Sequence, residues 1–397
     1  AKFVFKDPSL APVLRIFALT LPFVALMRLC LGTIQGFQES RGKIYVQNLT
    51  LPIVQLGLIA VTLLLGWSIR SIAYAYLGSY IGACLIALIY IKRRTTAFSR
   101  GPYQFRSREL LSFSAPLMIM STLGFVFTQV DTLMVGALRN AGEVGIYSAV
   151  FPLTSLLTAL LTATRFIVQP VMSELDSNSE EKEMNSVYQS ITKWVFVGAF
   201  PVFLALTFYA ETTISITFGS QYAVGGLALI ILSVGFFTHA ICGPNGTTLT
   251  AIGETNAIMY MNLLVAIVNI GLNLTLIPMY GYVGAAVATA VAYILMNVSY
   301  SLYLHHLTGI SPFESGILRF GTVALAVHAL YYWILTSYIT LTAVTVTTAL
   351  TVYGIIYLGL IIGLGIIGEE ELSIIDSVEN RRGINLQIVK TVVRRMQ

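Results

Sequence analysis

Long apolar stretches, separated by short polar turns, fill most of the chain. A helix needs about 20 mostly apolar residues to cross the hydrocarbon core of a bilayer. About eleven segments meet that requirement and predict membrane-spanning helices. They cover residues 11–36, 44–66, 70–91, 111–137, 144–171, 190–210, 222–245, 257–278, 281–304, 316–336 and 340–367. Turns as short as Gly66-Trp67-Ser68 and Tyr280-Gly281 join some of them, so the flanking helices are expected to be antiparallel neighbours.

The composition supports a membrane protein. Of the 397 residues, 56% are hydrophobic and 10% are charged, whereas soluble domains carry about 25% charged residues. So few polar groups could not cover the surface of a soluble protein, but residues that face lipid can be apolar. The sequence therefore predicts an all-α, polytopic bundle in a membrane.

Lysine and arginine are unevenly shared between alternate predicted loops. One set of loops holds 16 of these residues and the opposite set holds 5. Because cytoplasmic loops are enriched in positive charge, we expect the first set inside, with the first span starting outside and a cytoplasmic C-terminus. The two longest inside loops are then 92–110 and 172–189, and the second is expected to be a helix-prone surface connector.

A shift of 214 residues aligns two parts of the chain. Asn48 then falls on Asn262 and Gln55 on Asn269, and the predicted helix boundaries coincide. The copies keep the same orientation, which indicates a parallel repeat of the kind found in secondary transporters. We therefore expect four parts: 1–110, the last three helices of an N-terminal lobe; 111–304, a six-helix lobe; 305–368, two further membrane helices; and 369–397, a cytoplasmic tail.

Two stretches resemble a known family. Segment 115–147 carries Pro116, places Asp131 ahead of a Met-Val-Gly turn, and ends in Gly-Ile-Tyr. Segment 269–293 contains an Asn-rich helix, a Leu-Ile-Pro stop and a Gly-Ala-Ala-x-Ala-Thr re-entry. Both resemble the polysaccharide-transport branch of the MOP exporter superfamily, which includes O-antigen and capsule repeat-unit flippases, and the resemblance covers essentially the whole chain.

The resemblance implies two six-helix lobes that face a central cavity, followed by two C-terminal helices. The predicted spans would be the fourth to the fourteenth, so the first three helices are expected to be absent from this chain. The implied activity is translocation of a polyprenyl-phosphate- or pyrophosphate-linked oligosaccharide by alternating access. Lipid-linked oligosaccharide and membrane lipids would be the partners, with glycosyltransferases of the same pathway as candidate protein partners.

Two arginines lie within predicted spans, where an ionised side chain costs about 2.5–3.5 kcal/mol on insertion scales. Arg165 lies in the inner third of its helix, shortly before Gln169. It either binds an anionic substrate, since a guanidinium can hold phosphate bidentately, or extends to the cytoplasmic interface. Arg28 lies near the middle of its helix and is either a second substrate contact or part of a structural pair.

Asp131, with Gln129 two residues before it, lies in the outer half of its predicted helix. The carboxylate is a candidate for coupling transport to a proton or cation, for neutralising an arginine, or for a structural hydrogen bond. His239 and His328 also lie in apolar helices. For both, we expect a neutral imidazole that is hydrogen-bonded in the core.

The sequence lacks the signals of several other kinds of site. No Walker, HExxH, GxSxG or Asp-rich metal motif occurs, so neither ATP nor a cofactor or metal is expected. The net charge of +5, without a basic stretch that alternates with aromatics, gives no support for nucleic-acid binding. Four Asn-x-Ser/Thr sequences lie in or beside predicted spans, where glycosylation is not expected; they begin at Asn48, Asn245, Asn273 and Asn297.

Two other functions stay open. A multidrug or cation antiporter of the same superfamily is disfavoured by the two additional helices, because drug extruders usually lack them. A membrane sugar polymerase or ligase generally needs catalytic residues on a long exterior loop, and no predicted outside loop exceeds about a dozen residues. We therefore expect a transporter of the cytoplasmic membrane rather than an enzyme.

Overall fold

The computed structural model describes residues 10–36, 42, 44–94, 108, 111, 114, 118, 129–312 and 315–366. Every regular element in these residues is a helix, which confirms the all-α prediction. Ten helical segments of the described chain are long and apolar enough to cross a membrane. The remaining predicted span, 111–137, lies largely outside the described residues, as does the tail 369–397.

The chain forms two compact units, Ala1–Ser121 and Thr122–Gln397. The two C-terminal helices belong to the second unit, while the finer division into four parts stays a prediction. The first unit contains α1 (Leu10–Gly36), a π-helical segment (Ile44–Thr50), α2 (Leu51–Leu64) and α3 (Ile69–Arg94).

Small side chains let α1 and α3 pack closely in the first unit. Cys30 and Ile34 of α1 are buried against Ala83 and Ala87 of α3. Alanine at a helix interface lets two backbones approach, and van der Waals packing of this kind drives helix association in a membrane. The apolar residues on the outer faces of these helices remain exposed, as expected for residues that face lipid.

The first described part of the second unit is helical at 129–138, and we call it α4. The elements that follow are α5 (Ala141–Ser177), α6 (Glu181–Phe208), α7 (Ala210–Phe218), a 3-10 turn (Ser220–Gly225), α8 (Gly226–Ile241), α9 (Asn245–Ala251), α10 (Thr255–Tyr280), α11 (Tyr282–Thr308), α12 (Ser315–Tyr338) and α13 (Ala343–Gly363). The predicted connector 172–189 is helical, as its helix-prone sequence indicated: α5 and α6 continue through it, and only residues 178–180 form a turn.

A close approach between α8 and α11 lies at the centre of the second unit. A Cβ at Gly235 would lie 2.6 Å from Ala290 Cα, so only glycine fits there. Phe236 of α8 stacks on Tyr293 of α11, with ring centroids 4.2 Å apart. Tight backbone contact and aromatic packing together hold these helices in one arrangement.

Three tyrosines attach the last two helices. Tyr357 of α13 donates to the Val197 carbonyl of α6 at 2.8 Å. Tyr353 donates to the Ala324 carbonyl of α12 at 3.0 Å, and Tyr331 donates from α12 back to α13. Because a phenol buried in apolar surroundings needs an acceptor, these bonds fix the pair of helices against each other and against α6.

The turn between α10 and α11 is hydrogen-bonded to the first turn of α5. The Glu143 carboxylate accepts from the Tyr282 backbone N–H at 3.0 Å and forms an ion pair with Arg139 at 3.0 Å. Gly281 has φ +59, and a Cβ there would overlap Glu143. The tight turn predicted at this glycine is present, and it sets the position of α10 and α11 relative to α4.

Candidate functional site

Arg165 is exposed on α5 and lines a polar cavity within the second unit. The cavity has a volume of about 400 Å³. The guanidinium makes no hydrogen bond or ion pair with any residue that the structure describes. Its charge is therefore available to a ligand instead of being neutralised by a protein carboxylate.

A stripe of polar side chains continues from Arg165 along α5. Thr162, Arg165, Gln169 and Ser173 line an adjoining cavity of about 780 Å³. Because they are spaced three or four positions apart, they share one face of the helix. Arg165 and Gln169 border both cavities, so the arginine lies at their junction.

The chain between α8 and α9 forms another wall of the smaller cavity, the one of about 400 Å³. Gly243 has φ +70, and a Cβ there would overlap the Thr192 side chain. The chain turns at this glycine, and α9 starts after Pro244. This change of direction places Asn245 and Thr247 on the cavity wall. A straight continuation of α8 would have passed the cavity instead.

Amide side chains support the same wall. His239 Nδ1 lies 2.7 Å from Asn297 Oδ1, and Asn297 Nδ2 donates to the Tyr293 carbonyl at 2.8 Å. Asn245 Nδ2 donates to Ser301 at 3.2 Å and also to Asn297. The network spans α8, α9 and α11, and it holds His239 against the cavity.

Asp131 lies in a separate, buried polar cluster. Its carboxylate accepts hydrogen bonds from Asn273 Nδ2 at 2.6 Å, from Tyr147 at 3.4 Å and from the Thr289 hydroxyl. Asn273 Nδ2 also donates to Asn269 Oδ1 at 3.1 Å. The cluster draws these groups from α4, α5, α10 and α11. The side-chain oxygen of Asn273 accepts no hydrogen bond from the part of the chain that the structure describes.

Tyr293 of α11 lies within electrostatic range of both Asp131 and Arg165. It lines the cavity beside His239, with the two rings edge to face and their centroids 5.9 Å apart. The cavity and the Asp131 cluster are thus two sites in one unit, with a single side chain near both.

Arg28 lies on α1 in the first unit, and Gln129 lies on α4 in the second unit. Arg28 is exposed and lies within electrostatic range of the Tyr80 phenol. Gln129 is exposed at the start of α4, because residues two positions apart on a helix point in different directions. Their predicted roles in substrate binding and in coupling stay predictions.

The two membrane histidines differ. His239 is hydrogen-bonded, as expected. His328 is fully buried, but neither ring nitrogen has a hydrogen-bond partner among the described residues, so the expected bond is absent. Its neighbours are aromatic rings instead, and the centroid of Tyr353 lies 4.2 Å away.

Sequence reasoning singled out charged residues and missed the neutral side chains around them. Asn245, Asn273 and Asn297 are each at most 1% exposed, although they lie in apolar segments. All three begin the Asn-x-Ser/Thr sequences noted above. A buried amide in a membrane helix needs a polar partner, so these asparagines could have served as a signal for the polar clusters.

Comparison with known proteins identifies a family and several relatives that this chain is similar to. A family model described as "Polysaccharide biosynthesis protein" matches residues 1–225. The "Probable low-salt glycan biosynthesis flippase Agl15" of Haloferax volcanii is 23% identical over 257 residues, covering 65% of this chain and 54% of the relative. The "Probable multidrug resistance protein NorM" of Streptococcus pneumoniae is 27% identical, covering 46% of this chain and 42% of the relative. The chain thus spans about half the length of these relatives.

A solved structure shares the fold. "Lipid II flippase MurJ, inward closed conformation" superposes with a TM-score of 0.70 at 16% identity, covering 88% of this chain and 72% of that protein. At this identity the likeness concerns the arrangement of helices. It supports the multi-pass membrane architecture expected from the hydropathy pattern.

Proposed function

Because the chain belongs to the polysaccharide biosynthesis protein family, within the polysaccharide-transport branch that the sequence resembles, we propose that it translocates a polyprenyl-(pyro)phosphate-linked oligosaccharide by alternating access. The transport would serve surface polysaccharide or glycan assembly. One observation carries the proposal: Arg165 lines a polar cavity between apolar helices and has no hydrogen-bond or ion-pair partner among the residues that the structure describes.

The physical problem of such transport is the headgroup. A phosphate and its sugars must pass about 30 Å of hydrocarbon, where an unpaired charge is strongly disfavoured. A guanidinium offers a planar pair of donors that matches phosphate, and the amide and hydroxyl groups of the cavity can replace water around a sugar. The lipid tail would stay in the bilayer.

Arg28 is proposed as a second contact for the anionic headgroup. It is exposed near the middle of α1, too far from either end to reach the interface easily. Such a residue requires water or an anion nearby, and a headgroup that carries phosphate supplies the anion.

Asp131 is proposed as the coupling group. Its carboxylate, the Asn269 and Asn273 amide oxygens and the Thr289 hydroxyl lie together in a buried cluster. An excess of oxygen acceptors suits a cation, while an Asp carboxylate can also take a proton, and both stay open. Gln129 is retained as a candidate that would act only if α4 changed its orientation during transport.

The protein would lie in the cytoplasmic membrane with its C-terminus inside, as the distribution of Lys and Arg indicates. Glycosyltransferases of the same pathway are the proposed protein partners. Export of drugs is the second candidate function, and the match to NorM favours it. A membrane polymerase or ligase is the third, with no described feature in its favour.

Translocation in vesicles tests the proposal. The intact protein is reconstituted with a labelled polyprenyl-diphosphate oligosaccharide, and the fraction that becomes accessible to an impermeant reagent is followed with time. The Arg28→Ala/Arg165→Ala double variant should slow flipping at least tenfold, because hydrogen bonds to charged groups contribute ~1.5–3 kcal/mol each. Arg319→Ala is a matched control, since Arg319 is exposed on α12 and does not line the cavity.

Unchanged flipping in the double variant would contradict the role of the arginines. Transport of a cationic dye by the same vesicles, without transport of the labelled lipid, would favour the drug exporter. Sugar transfer by the purified intact protein would favour the enzyme.

A further inference from the structure

The hydrogen bonds around His239 determine which ring nitrogen carries the proton. The carbonyl of Tyr293 can only accept, so the Asn297 atom that faces it at 2.8 Å is the NH2 group. The other Asn297 atom is therefore the carbonyl oxygen, which lies 2.7 Å from His239 Nδ1. Because that oxygen is an acceptor, Nδ1 of His239 is the donor and bears hydrogen.

This assignment gives the second ring nitrogen a defined property. An unperturbed imidazole is mostly neutral at neutral pH, and a neutral ring with hydrogen on Nδ1 has a free lone pair on Nε2. Nε2 makes no hydrogen bond with the described residues, and His239 lines the cavity with Arg165. The cavity thus contains a hydrogen-bond acceptor on one wall and a fixed cation on another.

A donor on a third wall completes the arrangement. Asn262 of α10 accepts a hydrogen bond from the Tyr300 hydroxyl through Oδ1 at 2.7 Å. Its NH2 group has no partner among the described residues, and Asn262 also lines the cavity. A phosphate monoester in its dianionic form, which dominates above its second pKa of about 6, would use the arginine but has no hydroxyl hydrogen to offer His239.

We propose that this cavity binds a glycosyl phosphate, with the phosphate on Arg165 and the directly attached sugar between His239 and Asn262. A sugar hydroxyl donates to His239 Nε2, and an oxygen of the same sugar accepts from Asn262. The inference rests on the proposed function, which it narrows to recognition of the first sugar. Asn297 acts as a positioning residue, since it holds the tautomer of His239. A volume of about 400 Å³ lies within the range of small-molecule sites, about 300–1,000 Å³.

Binding of two probes to the intact protein in nanodiscs tests the assignment. The first probe is a short-chain prenyl phosphate. The second is a set of glycosyl phosphates on the same prenyl chain, with glucose, galactose or N-acetylglucosamine as the sugar. His239→Phe should weaken binding of the preferred glycosyl probe roughly two- to tenfold, the range for one neutral hydrogen bond, and leave the prenyl phosphate unaffected. Arg165→Ala should weaken both probes. His306→Phe is the matched control, because His306 is exposed on α11 and does not line the cavity.

A spectroscopic measurement on the unmutated chain keeps the test independent of folding defects. With ¹⁵N-labelled histidine, His239 should show a protonated Nδ1 and an unprotonated Nε2. The Nε2 resonance should move when the glycosyl probe binds and stay in place with the prenyl phosphate. Asn297→Ala should mix the two tautomers.

The possible outcomes distinguish the recognition of the first sugar from the proposed function as a whole. If the phosphate binds but the protein shows no preference for a sugar, or if His239→Phe weakens both probes equally, the inference is overturned while the proposed function stands. If neither probe binds, the proposed function fails together with it.

Discussion

Replacement of Asp131 separates the structural role of its hydrogen bonds from the coupling role of its charge. The carboxylate accepts hydrogen bonds from Tyr147, Asn273 and Thr289. Side-chain hydrogen bonds in membrane proteins contribute ~0.6 kcal/mol on average and up to ~1.7. Asp131→Leu removes all three, so the free energy of unfolding should fall by roughly 2–5 kcal/mol.

Asp131→Asn changes much less of the structure. The amide keeps the shape and one acceptor oxygen, and the hydroxyls of Tyr147 and Thr289 can rotate to donate or accept. We expect the loss of about one hydrogen bond, roughly 0.6–1.7 kcal/mol. The charge disappears in both variants, so the coupling of flipping to an ion gradient should be abolished even where the fold is retained.

Thermal unfolding in detergent measures the first effect, and flipping under imposed sodium or proton gradients measures the second. Glu183→Gln is the control, because it neutralises another carboxylate of the same unit at an exposed position on α6. If Asp131→Asn still responds to the gradient, Asp131 is not the coupling group. If Asp131→Asn is as unstable as Asp131→Leu, the hydrogen-bond analysis is wrong.

Two further predictions concern positions that hold the second unit together. Gly281→Ala should lower the free energy of unfolding by about 3 kcal/mol, because φ is +59 and the new Cβ overlaps Glu143. The control Gly253→Ala, at φ +86 in open space, should lower it by only about 1–2 kcal/mol. Equal losses in the two variants would show that the overlap with Glu143 has no effect. Tyr357→Phe removes the hydrogen bond to α6 and should lower the free energy of unfolding by ~0.6–1.7 kcal/mol. Tyr338→Phe is the control: Tyr338 is 85% exposed, so the melting temperature should not change. An unchanged melting temperature in Tyr357→Phe would show that this bond does not hold α13.

The membrane spans could be predicted because each one is a local property of the chain. Twenty apolar residues are visible without any knowledge of the neighbouring helices. The helix-prone connector 172–189 is indeed helical, but hydropathy, which marks where a helix leaves the lipid, did not show that α5 itself continues to Ser177 in polar sequence. A helix can extend beyond the hydrocarbon layer, so the length of an apolar segment does not give the length of the helix.

The candidate sites were predictable only in part. Arg165 and Asp131 stood out because a charge among apolar residues is expensive. Their surroundings depend on which helices meet, so Asn273 and Thr289 could not be paired with Asp131 from spacing alone. His328 is a similar case: its buried ring has no hydrogen-bond partner among the described residues, and it packs on Phe208 and Tyr353 of other helices.

The most direct measurement is a structure of the intact protein with a polyprenyl-diphosphate oligosaccharide bound, determined in nanodiscs by electron cryo-microscopy. A phosphate oxygen is expected about 2.7–2.9 Å from the Arg165 guanidinium, with the first sugar beside His239. A substrate bound elsewhere, with Arg165 paired to a protein carboxylate, would contradict the account.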